Sequence, residues 1–268
     1  MELSRREVIE RIKIEEKNHN FYEHIDPIDF SNYYEIDENY PYIKKPLKLK
    51  IYNFFTNIFI VRPFTNKVNR DLQVEIKGKE NLIGLNGAIV TCNHINKLDC
   101  LVAKKSINYR KTFITAAFFN NQKGAFGNYM RVGGMIPMPK SHSFFKYFDE
   151  CISYHLNKGH FVVFYPEQAM WWNYEKPRPY KNGAFHYAVN NNKPVLPTFI
   201  TMINLDELDE EGFNKKKYIY NILKPVYPKS ELTPKENIEY LKNEAFREAK
   251  ECYERFYQTK LEYGVDND

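Results

Sequence analysis

The chain has 268 residues, 43% of them hydrophobic and 27% charged, with a formal charge of +5. That composition suits one large domain with a real core, alone or with an appendage. Its four cysteines (Cys92, Cys100, Cys151, Cys252) form no CxxC or CxH cluster, which argues against a disulfide framework or a zinc site and for a reducing compartment.

The N-terminus, MELSRREVIERIKIEEKNHN, is charged throughout and lacks the apolar core of a signal peptide. Residues 4–18 read as a helix capped by Ser4, with Val8, Ile9 and Ile12 on one side. Residues 21–46 are rich in Tyr, Asp and Pro without a clear period, and read as an extended connector. A helix over 47–61 follows, between Pro46 and Pro63. Leu47, Ile51, Phe54, Phe55, Ile58 and Val61 share one face, and Lys50, Asn53 and Asn57 form a polar stripe. Two placements compete for it: packed on the core, or lying in a membrane interface. The surroundings favour lipid, because residues 39–70 hold Lys44, Lys45, Lys48, Lys50, Arg62, Lys67 and Arg70 and no acid. A nucleic-acid partner suits the block less well, since an apolar face interrupts it. No run of 18 apolar residues exists to span a bilayer.

From residue 71 the pattern becomes α/β. Strand-like runs at 72–76, 88–92, 112–116, 135–138, 161–165, 195–202 and 218–223 alternate with helix-like runs at 97–107, 117–130, 143–157 and 181–191. A long helix over 234–261 closes the chain, with Thr233 as its cap. This predicts a mostly parallel sheet covered by helices, with the site outside the carboxyl ends of the strands. The domain reading is a helical membrane-associating segment over 1–70 and a catalytic α/β domain over 71–268.

The strand ends carry chemistry. After 88–92 comes NHINKLD, where Asp99 is spaced to orient His94 as a general base. No serine or cysteine nucleophile accompanies them, which suggests direct attack by a substrate hydroxyl. Taken alone the pair is weak, since a loop histidine that caps the next helix gives the same spacing. After 161–165 comes PEQAMWW, with Glu167 and the only two tryptophans, Trp171 and Trp172. The indoles read equally as core or as interfacial anchors, and Glu167 as a capping acid or a site residue.

Four blocks in register, NHINKLD, GGMIPMPK, VVFYPEQ…PYKNGAF and NKPVLPTFI, resemble the glycerolipid acyltransferase family, the 1-acylglycerol-3-phosphate O-acyltransferases and their relatives. The family's corresponding blocks are NHxxxxD, GxIFIxR, FPEGTRS and a Val-Pro-rich strand. Asn93, His94 and Asp99 match the first; Gly134, Ile136 and, conservatively, Lys140 the second; Pro166 and Glu167 the third; Pro194, Val195 and Pro197 the fourth. The resemblance implies His94 as general base oriented by Asp99, and an acceptor site drawing on Asn93, Lys140, Glu167, Arg178 and Lys181. It implies an acyl thioester of CoA or acyl carrier protein as donor, a lysophospholipid as acceptor, and no metal or other cofactor. The expected setting is cytoplasmic, peripheral on the inner face of the cell membrane, against an anionic surface. The chain departs from the family where Gln168, Ala169 and Met170 replace Gly-Thr-Arg. The arginine associated with the acceptor's phosphate is missing, and Lys140, Arg178 or Lys181 are the candidates to replace it. The competing readings are a non-catalytic lipid- or carrier-binding module on the same fold, and a metal-dependent hydrolase using His94, Asp99 and Glu167. The second lacks a further histidine at ligand spacing.

Overall fold

The computed structural model describes residues 3–43 and 46–264; Lys44 and Lys45 of the basic block lie outside them. Seven strands form one sheet: β1 Glu75–Lys77, β2 Ala88–Thr91, β3 Thr112–Ala116, β4 Met135–Pro137, β5 Phe161–Phe164, β6 Val195–Leu208 and β7 Asn214–Ile222. Their order is β1-β7-β6-β2-β5-β3-β4, and every neighbouring pair is parallel except β6 with β7. The central strands are buried on both faces, so they read as continuous apolar runs. Side chains alternate between two cores. Ile89, Val162, Phe164, Val195 and Phe199 face one layer with α6 Phe145–Asn157, α7 Gly183–Asn190 and α8 Pro234–Tyr257. Val90, Val163, Leu196 and Ile200 face the other, against α4 Asp99–Ile107. In α5 Gly124–Val132 the chain ends its helix at Gly133, and Gly134 then turns into β4 at φ +98°. A Cβ at Gly134 would stand 3.2 Å from the Phe113 ring, so glycine suits both the backbone and the space.

The N-terminal residues divide in two. Helix α1 Arg5–Lys17 has the expected cap: Ser4 and Glu7 bond reciprocally across its first turn. Val8, Ile12, Phe21 and Ile25 then pack with Ala169, Trp171 and Tyr174 in a third core, so α1 and the connector brace the loop that follows β5. The second part is α2 Leu47–Thr56, a π-helical turn over Asn57–Val61, and α3 Arg62–Asp71. Pro63 does not close this helix as the sequence predicts. Proline lacks an N–H and its ring clashes with the carbonyl four residues earlier. The wider turn just ahead of it, where the Arg62 N–H reaches back to Asn57 O, carries the chain past the ring. The continued helix delays the first strand: Leu72 N–H still bonds Val68 O, and β1 starts at Glu75 rather than at 72.

The amphipathicity of this helix is turned inside out. Thr56, Val61, Thr65, Val68 and Asn69 are buried, while Leu47, Ile51, Phe54, Phe55, Phe59 and Phe64 are exposed. Asn57, from the polar stripe, faces the protein, donating to Val132 O at 3.3 Å and accepting from the Tyr109 hydroxyl at 3.2 Å. The core-packed placement therefore fails for the large apolar side chains. Val61, placed with them by the sequence pattern, is the exception and is buried. No described helix is long and apolar enough to cross a membrane.

Candidate active site

Strand β2 ends at Thr91, and the next three residues leave the sheet at its carboxyl edge. Asn93 is fully buried there. Its amide donates to Ile200 O at 3.0 Å and accepts from Ile200 N–H at 2.8 Å, tying the loop to β6. Expected as a substrate contact, Asn93 instead commits its amide to the backbone and sets where His94 begins.

His94 and Asp99 meet. The His94 Nδ1 lies 2.9 Å from Asp99 Oδ2, and the same oxygen accepts from the backbone N–H groups of Ile95 at 3.0 Å and Asn96 at 3.2 Å. A carboxylate with those partners fixes Nδ1 as the protonated nitrogen and leaves Nε2 with its lone pair. Asp99 is fully buried at the first turn of α4, where the helix N-terminus also favours its charge. The His94 side chain keeps 23% of its surface exposed. Burial is thus applied to the orienting acid and spared for the base. One residue escaped the sequence reading: Tyr165, whose ring stacks on His94 at 4.1 Å between centroids and whose hydroxyl donates to Asp99 Oδ1 at 2.7 Å. Its position directly before Pro166 and Glu167 was the available signal.

Glu167 is buried among donors. Oε2 accepts from the His94 N–H at 3.3 Å and from the Arg178 guanidinium at 2.9 Å, and Oε1 accepts from Arg178 N–H at 3.0 Å. Arg178, fully buried, also donates to Phe21 O at 2.8 Å and Ala169 O at 2.5 Å, and its guanidinium lies over Trp171 at 4.5 Å. Desolvation pulls the guanidinium pKa down and the adjacent Glu167 opposes that. The pair holds the post-β5 loop to the N-terminal connector, so Arg178 does not face an acceptor. Trp171 belongs to the core: it is fully buried, its backbone N–H bonds His94 O at 3.0 Å, and its indole donates to Glu23 O at 2.9 Å. Trp172 is half-buried, with Arg5 over its ring at 4.4 Å. Gln168 takes φ +66°, a left-handed conformation that suits the glycine of the family pattern.

Two of the cations singled out by the sequence are not tied up in this way. Lys181 holds its Nζ over the Tyr22 ring at 3.7 Å. Lys140 is exposed beside Phe118 and has no carboxylate partner among the described residues. It lines a cavity of about 400 Å³ with Tyr33, Tyr34, Glu35, Phe118 and Phe144. The thiols next to the site are buried. Full burial pushes the Cys92 thiol well above its usual pKa and Cys100 up to about 12, with Asp99 adding to both. No group of three or more His, Cys, Asp or Glu among the described residues is placed to share a metal ion.

The site is thus a His–Asp pair at the carboxyl edge of a mostly parallel α/β sheet. Residues 73–201, just under half of the chain, match the family model described as Acyltransferase. No curated protein matches the sequence. Among solved structures, the fold is similar to the 1-acyl-sn-glycerophosphate (LPA) acyltransferase PlsC from Thermotoga maritima. That match has a TM-score of 0.55 and 16% identity, covering 80% of this chain and 91% of the other.

Proposed function

We propose that the chain moves a fatty acyl group from the thioester of acyl-CoA or acyl carrier protein to the hydroxyl of a lysophospholipid, with 1-acylglycerol-3-phosphate as the first acceptor to try. The observation that carries the reading is the 2.9 Å contact between His94 Nδ1 and a fully buried Asp99 at the sheet edge. His94 Nε2 takes the proton of the acceptor hydroxyl as its oxygen attacks the thioester carbonyl. The tetrahedral oxyanion then collapses, the C–S bond breaks, and the leaving thiolate takes the proton back from the imidazolium. Asp99 keeps the imidazole in the right tautomer and offsets the charge that forms on it. Glu167 serves this reaction through the loop, by holding the His94 backbone.

With Arg178 paired internally, the acceptor's anionic head falls to Lys140 and the cavity beside it, and Lys181 stands second. A lysine contributes a point charge rather than arginine's planar fork, so the site tolerates variation in the head. The acceptor and product are membrane lipids, and the exposed face of α2 and α3 is the surface that would meet the bilayer. Lys48, Lys50, Arg62 and Lys67 lie exposed along it, although Lys67 is paired with Asp71. Neighbouring α5 adds exposed Phe126, and its Asn128 donates to the Tyr52 hydroxyl at 3.0 Å. Attachment on one apolar face, without crossing, fits an interfacial helix.

The test is acyl transfer by purified protein, with acyl-CoA and acyl carrier protein offered in parallel and a panel of lysophospholipids as acceptors. His94→Ala should lose turnover by about 10²–10⁴-fold, the usual contribution of a general base. Turnover by His94→Ala near the wild-type rate would overturn the reading.

A further inference from the structure

We infer that Tyr165 is a positioning residue of the acyl-transfer site, holding Asp99 through its hydroxyl and His94 through its ring. The inference rests on the reading of His94 as base. Asp99 has two oxygens with different duties. Oδ2 receives His94 Nδ1 and two backbone N–H groups. Among the described residues, the Tyr165 hydroxyl is the one hydrogen-bond donor on Oδ1, at 2.7 Å. The carboxylate is fully buried, so the phenol stands where water would otherwise be needed. Without it, the carboxylate would keep a buried, unsatisfied oxygen and be free to rock about its Oδ2 contacts.

The same side chain reaches the base. Its ring lies 4.1 Å from the imidazole, with 22° between the planes. Asp99 fixes one edge of His94, and the Tyr165 ring fixes its plane. The hydrogen bond to Asp99 requires a neutral phenol, and the site secures it. Burial, then the neighbouring Asp99 charge, pushes the Tyr165 hydroxyl well above its usual pKa. Tyr165 follows strand β5 directly, Pro166 O accepts from Lys181 N–H at 3.0 Å and Glu167 is held by Arg178, so its direction is set by the strand and the loop together. The family block quoted above has phenylalanine at this place. Against that block, the ring is retained and the hydroxyl is what Tyr165 adds.

A donor on Oδ1 draws negative charge away from the oxygen that faces His94. Removing it leaves a more basic carboxylate beside the imidazole, which then holds a proton more tightly. The acid limb of activity should move to higher pH. Other titratable groups face the pair: Glu167 at the His94 backbone, His24 from the N-terminal connector, and Cys92, Cys100, Tyr218 and Tyr220 around Asp99. All are kept in Tyr165→Phe, so a change in the profile belongs to the hydroxyl.

The experiment compares wild type, Tyr165→Phe, Tyr165→Leu, Asp99→Asn and the Tyr165→Phe/Asp99→Asn double variant. It reads kcat, KM and pH profiles, together with histidine-selective NMR in which the His94 signal is assigned by its loss in His94→Ala. Tyr165→Phe should keep both KM values and lower kcat about tenfold, as expected for one hydrogen bond to a charged group. It should also displace the acid limb of activity, and the NMR titration curve of His94, from those of wild type. Tyr165→Leu, which also loses the ring, should fall further. In the Asp99→Asn background, Tyr165→Phe should change nothing more, because the hydroxyl acts through Asp99. An unchanged kcat, acid limb and NMR midpoint in Tyr165→Phe would overturn the inference. Should wild type transfer no acyl group, the acyltransferase reading fails, and the NMR midpoint alone still decides the role of Tyr165.

Discussion

Around His94 the protein buries charge and matches it; along α2 and α3 it exposes large apolar side chains and leaves them unmatched. Glu167 and Arg178 are both about 1% exposed, and each bonds the other and backbone groups, although the Arg178 Nε is left without a partner among the described residues. Burying such a pair contributes little net stability, because desolvation offsets the attraction. What the pair supplies is geometry, since it pins the loop that bonds the backbone of His94. The α2–α3 helix shows the opposite economy. Phe54, Phe55 and Phe59 are 60%, 53% and 70% exposed while threonines and asparagines face inward. A contiguous apolar surface of that kind is the mark of an interaction site, the role proposed above for this helix. One region is complete within the chain, and the other leaves its apolar face open.

The comparison breaks most readily at the helix. Phe54→Asp/Phe55→Asp removes two side chains whose burial is worth about 1.5–3 kcal/mol each. The double variant should keep its melting temperature and lose flotation with anionic liposomes. High salt should weaken flotation of the wild type, because surface charges are screened within about 10 Å at 0.1 M. A variant that unfolds, with wild type indifferent to liposomes, would make the helix part of a core.

At the site the same kind of insult should act on the fold. Arg178→Met leaves Glu167 buried without its cation, which typically costs about 3–5 kcal/mol. Chemical denaturation should show that loss, and adding Glu167→Gln should recover part of it. An unchanged midpoint would mean the loop is held by its apolar contacts alone.

Lys104 sharpens the contrast, being a charge buried away from the site without a carboxylate partner among the described residues. Its ammonium donates to Thr112 O at 2.8 Å, and burial lowers its pKa to about 8. The unfolded chain holds that proton up to about 10.4. Between these values the unfolded state binds more protons, so rising pH favours the folded state. The gain amounts to about 3 kcal/mol over the window at most. Lys104→Met should flatten that slope and leave acyl transfer untouched. A slope identical to wild type would contradict the burial of the charge.

Much of this was legible in the sequence, for reasons that can be named. The central strands are apolar runs ended by Pro, Gly or Asn, and the parallel sheet followed from their alternation with helices. The spacing of His94 and Asp99 was readable because a loop and one helical turn bring those positions together. Other features depend on contacts between distant segments. Arg178 sits eleven residues beyond Glu167, and only the folded loop shows that they pair rather than face substrate. Asn93 reads as a polar residue at a strand end, yet Ile200, far along the chain, claims both sides of its amide. The apolar face of α2 was visible as periodicity, but periodicity does not say which face turns inward. The buried Thr65 and Asn69 settle that, through side-chain bonds to Val61 O and Thr65 O within the helix itself. Trp171 was undecided between core and interface because an indole suits both until its N–H finds Glu23.

The central claim is that His94, oriented by Asp99, transfers an acyl group to a lysophospholipid. The most direct measurement is mass spectrometry of the lipid products after purified wild type, His94→Ala and Asp99→Asn are each given a lysophospholipid panel and both thioester donors. The account predicts that wild type converts at least one lysophospholipid to its diacyl product with release of the thiol. Both variants should be folded and slower by about 10²–10⁴-fold. Diacyl product from His94→Ala at the wild-type rate, or none from wild type with any acceptor and donor, would contradict it.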